Sequence, residues 1–229
     1  MRTALYFTPP SEARVTQLAA EWLGRDAFSG ERSRAPDPAL DSLVAEPSRY
    51  GFHATMKPPF RLSEGRDLQG LDEALARFTG SRPSAVIPSL VLRRIDGFFA
   101  LVPENTVSDL DALAAETVRH FEPFRAPLSE AEIARRNPER LSERQRGHLH
   151  RWGYPFVFEE FRFHMTLTGR VHDDTAPEIE NALRERFGEV LGRPLPIDAL
   201  ALFVQNDAGA PFTVHTRHSF GGLPRTASA

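Results

Sequence analysis

The sequence predicts an α+β fold, and two observations carry that prediction. Short apolar or alternating runs of strand character are interspersed with segments whose apolar residues recur at helical spacing. Several of the strand candidates are also hairpin neighbours, which favours antiparallel pairing over a doubly wound parallel sheet.

The elements follow in order. Residues 2–8 (RTALYFT) form an apolar, aromatic run that stops at Pro9-Pro10 and reads as a strand. Ser11 is a candidate cap for a helix in which Val15, Leu18, Ala19 and Leu23 form one stripe and Gly24 ends the run. Residues 25–48 lack periodicity and read as an irregular connection. Residues 49–60 read as a strand ended by Pro58-Pro59, and residues 67–79 as a helix with Leu68, Leu71, Leu75 and Phe78 inward. Residues 85–95 and 97–103 read as a hairpin, because Asp96-Gly97 accepts the positive φ of a tight turn. Residues 107–121 are helical, 129–151 are highly charged and helical, and 159–171 alternate as a strand. A helix over 176–191 and strands near 197–205 and 211–219 complete the fold. A tail after Gly221-Gly222 is expected to fray.

A length of 229 residues is ample for a buried core, and the chain is read as one domain over 1–229. With 41% apolar and 26% charged residues the composition is globular. The net charge of −3 argues against a domain built to grip long nucleic acid, which would be strongly basic. The absence of cysteine excludes disulfides, iron–sulfur clusters, thiolate zinc sites and cysteine nucleophiles. The first residues are too short an apolar run for a signal peptide, and no stretch approaches a bilayer span, so a soluble, cytoplasmic protein with no membrane partner is expected. Neither a Walker loop nor a G-x-G-x-x-G turn occurs, so nucleoside-triphosphate and dinucleotide cofactors lose their main support.

Chemistry is concentrated in a repeated tetrapeptide. Phe52-His53-Ala54-Thr55 and Phe163-His164-Met165-Thr166 share F-H-x-T, 111 positions apart, each on a strand candidate. Alternate side chains of a strand share a face. His53 and Thr55 therefore lie together, opposite Phe52, Ala54 and Met56, and His164 and Thr166 lie together, opposite Phe163, Met165 and Leu167. The same parity adds Lys57 to the first polar face and Arg162 and Thr168 to the second. Two imidazoles that titrate near neutrality, hydroxyl donors and cations are what a phosphodiester site needs. A lone strand histidine is more often structural; two complete copies with matching parity are much harder to dismiss.

These motifs resemble the two-histidine phosphoesterase superfamily, defined by two H-Φ-[ST]-Φ motifs with Φ apolar; His53-Ala54-Thr55-Met56 and His164-Met165-Thr166-Leu167 both match. The longer strings RYGFHATMKPPF and FRFHMTLTGR, with Trp152-Gly153-Tyr154-Pro155 and Ala201-Leu202-Phe203-Val204-Gln205, resemble a narrower branch of phosphonate-metabolism proteins, the DUF1045 type. The resemblance implies a bilobal α+β fold with two antiparallel-sheet lobes, helices outside and one motif from each lobe facing a central cleft. It also implies no metal or cofactor, and chemistry on a cyclic phosphodiester, with a phosphorylated sugar from phosphonate breakdown as the substrate that the branch suggests.

Other residues carry weaker signals. The segment Arg135–Arg151 holds six arginines against Glu139 and Glu143, and reads equally as a basic flap over the cleft or as a solvated helical face. His148 and His150, and His215 and His218, lack carboxylate companions at ligand spacing and read as surface histidines. Tyr6 and Tyr154 are candidates to stack on substrate, Tyr154 the better one, while Phe161 reads as packing. Gln205 either reaches the groove or ends its strand in water.

The sequence thus predicts a phosphodiesterase with His53 and His164 as acid and base in unassigned order, Thr55 and Thr166 on the phosphoryl oxygens, and Lys57, Arg162, Tyr154, Tyr6 and Thr168 binding substrate. The partner is a small phosphorylated molecule, and the oligomeric state is left open. Two alternatives remain: a ligase or transferase acting on RNA 2′,3′-cyclic phosphate ends, and a non-catalytic module that binds a phosphometabolite.

Overall fold

The computed structural model describes residues 1–221. Among them are nine strands: β1 Arg2–Phe7, β2 Ala54–Phe60, β3 Ala85–Ile87, β4 Leu90–Ile95, β5 Phe98–Pro103, β6 Met165–Thr166, β7 Leu195–Ile197, β8 Ala199–Gln205 and β9 Thr213–Ser219. The α-helices are α1 Arg14–Leu23, α2 Pro38–Tyr50, α3 Leu68–Gly80, α4 Ser108–His120, α5 Glu130–Ala134, α6 Glu143–Trp152 and α7 Ala176–Phe187.

Seven strands form one antiparallel sheet in the order β4-β5-β6-β2-β1-β8-β9, and β3 pairs with β7 in a small second sheet. The fold is α+β, as expected. The large sheet has two halves, β9-β8-β1-β2 and β6-β5-β4, joined where Ala54 of β2 pairs with Met165 of β6. Those two residues are the centres of the two H-x-T motifs.

Strand parity separates the two faces. Leu5, Phe7, Ala54, Met165, Leu200 and Leu202 pack with buried residues of α1, α3, α4 and α7 in the main core. On the other face a smaller cluster of Ala4, Tyr6, Ala201, Phe203 and Phe212 supports the cleft.

Several boundaries differ from the sequence reading, each for a physical reason. Residues 38–50, read as irregular, are helix α2: Asp37 caps Ala39 and Leu40 with its carboxylate, and Pro38 fits the first helical turn. Arg49 and Tyr50 therefore end a helix rather than begin a strand. Strand β2 runs through Pro58-Pro59 to Phe60, because bulges in its pairing with β1 spare the prolines a ladder hydrogen bond. Helix α1 starts after Ala13 with no side-chain cap; Ser11 bonds Glu12 instead. The charged segment is broken into α5 and α6 by Asn137, at φ 46, and Pro138. The strand expected over 159–171 shrinks to Met165–Thr166, since a 3-10 turn occupies Phe158–Glu160 and the chain leaves the sheet where Gly169 N bonds Leu43 O.

The hairpin turn is as predicted, with Asp96 at φ 48 and Gly97 at φ 91 between β4 and β5, but its first arm is only Leu90–Ile95, because Ala85–Ile87 forms β3 and pairs with β7 instead. No described helix is long and apolar enough to cross a membrane. The fraying expected beyond Gly221 falls outside the described residues.

Candidate active site

The register of β2 and β6 builds the site. With Ala54 opposite Met165, antiparallel pairing sets His53 opposite Thr166 and Thr55 opposite His164. Directly opposed residues point to the same side, and both Ala54 and Met165 are fully buried in the core. The four motif side chains accordingly emerge together on the other face, where all four line one cleft of about 380 Å³. The histidines are diagonal neighbours, for which roughly 7–8 Å is the usual spacing. That leaves room for a phosphoryl group between them.

Each imidazole is oriented by the same local device. His53 Nδ1 donates to the Gly51 carbonyl at 2.8 Å, and His164 Nδ1 donates to the Arg162 carbonyl at 2.7 Å. A carbonyl only accepts, so in each neutral ring the proton sits on Nδ1 and Nε2 keeps a free lone pair. The Thr55 hydroxyl, 3.2 Å from His53 Nε2, donates to it. Gly51 suits its place doubly: at φ 75 an L side chain is strained, and a Cβ there would collide with Ala27.

Burial holds both rings toward the neutral form. His53 stacks on Tyr6 with centroids 3.8 Å apart and rings 23° from parallel. Its removal from water, with a smaller contribution from the charge of His164, lowers its pKa to about 4 despite the opposing bond to Gly51. The pKa of His164, beside Phe98, is also lowered by burial, against the bond to the Arg162 carbonyl.

The other predicted residues divide. Tyr6 and Tyr154 line the cleft, and burial raises the pKa of both phenols. Thr168 reaches the wall, but it is buried and its hydroxyl accepts the Phe99 N–H at 2.9 Å. Arg162 lines the adjoining cavity of about 410 Å³, which also meets His164 and which Phe161 helps to wall.

Lys57 must be corrected: it does not face the cleft. A bulge pairs Tyr6 with Thr55 but Leu5 with Lys57, so the parity of β2 flips across Met56. Lys57 is 1% exposed, on the core side, where its ammonium donates to Glu122 Oε2 at 2.8 Å and to the Val118 carbonyl at 3.2 Å. Desolvation lowers its pKa, opposed by Glu122.

Sequence reasoning missed Arg2, Tyr50, Phe98 and Arg170, which line the cleft. Arg2 shares the parity of Tyr6 on β1 and was legible on that ground. Tyr50 makes the third of the chain's three tyrosines at the cleft. Of the six arginines in the basic segment, Arg136 alone lines it, with its guanidinium 5.2 Å from the centre of the Tyr154 ring. Arg144 instead pairs with Glu159, and Arg146 donates to the Leu141 carbonyl, so most of the segment is a solvated face. Arg2, Arg136 and Arg170 have no carboxylate within ion-pair distance among the described residues. His148 meets Glu159 and His218 meets Asp72. No group of three or more His, Cys, Asp or Glu among the described residues is placed to hold a metal ion. Gln205 is buried and bonds Arg2.

The family model described as "Protein of unknown function (DUF1045)" matches residues 55–213, from Thr55 through the whole second motif. Two curated relatives are named ribose 1,5-bisphosphate phosphokinase PhnN. The one from Janthinobacterium sp. (strain Marseille) is 37% identical over 237 residues, taking in 99% of this chain and 52% of the relative. The one from Laribacter hongkongensis (strain HLHK9) is 35% identical over 217 residues, taking in 93% of this chain and 50% of the relative. The chain thus spans about half the length of the curated relatives it matches. A solved structure, TT0787 of Thermus thermophilus, aligns with a TM-score of 0.48 at 15% identity, over 97% of this chain and 99% of that one.

Proposed function

The chain belongs to the DUF1045 family, and from that premise we propose that it is a phosphodiesterase of the two-histidine type, hydrolysing a small cyclic phosphodiester. One observation carries the reading: the two H-x-T motifs meet centre to centre across β2 and β6, so that each histidine stands opposite the other motif's threonine. This near-symmetry offers a phosphoryl group an imidazole and a hydroxyl from each side.

His53 is the general base. It is the imidazole with the pKa near 4, and its Nε2 lone pair faces Thr55 until a phosphoryl oxygen competes for that hydroxyl. Water attacks phosphorus and gives its proton to His53, while the ester P–O bond breaks and the leaving alkoxide takes a proton from His164. His164 acquires that proton when the anionic substrate binds, because a nearby negative charge raises an imidazole pKa. Thr55 and Thr166 donate to the non-bridging oxygens, and Arg2, Arg136 and Arg170 supply positive charge that outweighs Glu46 in the cleft lining. No step requires a metal, and with each Nδ1 tied to a carbonyl the two rings keep one ligand atom apiece.

A phosphorylated sugar carrying a cyclic phosphate is the substrate class we propose. Three arginines against Glu46 leave more positive charge than one diester anion requires, and the relatives carry the name of an enzyme of ribose 1,5-bisphosphate. The kinase activity in that name is not carried over, because the chain has no Walker loop and spans only half of those proteins.

The test is turnover of cyclic phosphodiesters, with and without an added phosphomonoester, in the presence of a chelator. Release of a single phosphomonoester product by hydrolysis is expected. Absence of turnover on every cyclic phosphodiester offered would contradict the proposal.

A further inference from the structure

Arg2 is the cleft cation with the most constrained side chain, and the constraint comes from outside the cleft. Arg2 and Gln205 are cross-strand partners at the ends of β1 and β8. Gln205 is 2% exposed, although it is a primary amide at the end of an otherwise apolar strand. Both ends of the amide are used. Its Oε1 accepts from Arg2 Nε at 2.7 Å, and its Nε2 donates to the Ala210 carbonyl at 2.5 Å. These partners fix which end is which, because a guanidinium only donates and a carbonyl only accepts. Phe212 supports the guanidinium carbon from 5.6 Å. With Nε engaged behind it, the Nη side of the guanidinium is left for the cleft.

We infer that Gln205 is a positioning residue that aims Arg2 at an anionic oxygen of the substrate. The inference rests on the phosphodiesterase reading, and gives that site its electrostatic fine structure. The choice of amide matters. A glutamate at 205 would still accept from Arg2, but it would have no N–H for the Ala210 carbonyl and would offset the Arg2 charge, leaving it a weak partner for an anion. An amide fixes the geometry and leaves the full positive charge for the ligand. A hydrogen bond to a charged group is worth enough that its loss should change binding about tenfold.

The experiment uses Arg2→Met, Gln205→Met, the double variant and Gln205→Glu, with steady-state kinetics and with inorganic phosphate binding by calorimetry. Gln205→Met should raise KM about tenfold while kcat holds, and the double variant should be no worse than Arg2→Met alone, because both changes remove one function. Gln205→Glu, which gives up the bond to the Ala210 carbonyl and so should melt lower than the wild type, should in its folded form bind phosphate more weakly, with a shallower dependence on ionic strength.

Cyclic substrates with and without a separate phosphomonoester identify the oxygen. An equal loss on both places Arg2 on the diester, and a loss confined to the doubly charged one places it on the second group. Additive losses in the double variant, or unchanged KM and phosphate affinity in folded Gln205→Met, would overturn the inference. If the wild type turns over nothing, the phosphodiesterase reading fails, while the phosphate titrations still decide whether Gln205 governs Arg2.

Discussion

Acidification should expose the neutrality of His53 as a loss of stability. In the unfolded chain its imidazole titrates near the ordinary 6.5; in the folded protein it does so at about 4. Between those values the unfolded state binds the extra proton, so stability falls as pH falls through the window. Integrating that difference from pH 7 to pH 4.5 gives about 2 kcal/mol, a large share of a typical folding free energy of roughly 5–15 kcal/mol. His53→Gln removes the titration while keeping a donor for the Gly51 carbonyl. Urea unfolding at pH 7 and pH 4.5, for the wild type and this variant, isolates the effect. His164 and His120, whose pKa values are also lowered, stay in both proteins; His120 cancels in the comparison, and His164 does so apart from its smaller charge coupling to His53. The wild type should lose about 2 kcal/mol more than the variant on acidification. Parallel losses would show that His53 is not held neutral, and its assignment as base would lose its physical ground.

Further outcomes follow from the geometry. Glu122→Ala should destabilise the fold by about 3 kcal/mol, as expected when one partner of a buried pair is removed, and leave KM unchanged, because Lys57 serves the core and not the cleft; denaturant midpoints and kinetics check this together. Thr55→Val and Thr166→Val should each reduce kcat by about ten- to a hundredfold, less than loss of either histidine, because the proton transfers remain. Activity should survive exhaustive chelation; loss on chelation restored by one divalent ion would point to a metallohydrolase. The pH–rate profile should be bell-shaped, with apparent values that belong to the histidine pair; a profile with one limb would contradict paired acid and base roles.

Much of the site was legible because strands announce parity. The two H-x-T faces, Tyr6 and the apolar residues behind them all follow from a period of two, and only the pairing of Ala54 with Met165 needed three dimensions. The same rule failed at Lys57, where a bulge adds one residue to β2 and turns the next side chain over. Nothing in Thr55-Met56-Lys57-Pro58 spells out that extra residue. Helix α2 was missed for want of a clear apolar stripe, though Asp37-Pro38 carried a start signal. Phe98 comes to the cleft through tertiary approach of a separate strand, which no local pattern encodes, whereas Arg170 continues the parity of His164, Thr166 and Thr168 and was legible on the same ground as Arg2.

The central claim is tested most directly by turnover of an accepted cyclic phosphodiester by His53→Ala and His164→Ala, each verified as folded by circular dichroism and thermal melting. The account predicts that each loses roughly two to four orders of magnitude in kcat, because each removes one of the two proton transfers. Near-normal turnover by either folded variant would make that histidine structural and contradict the acid–base pair.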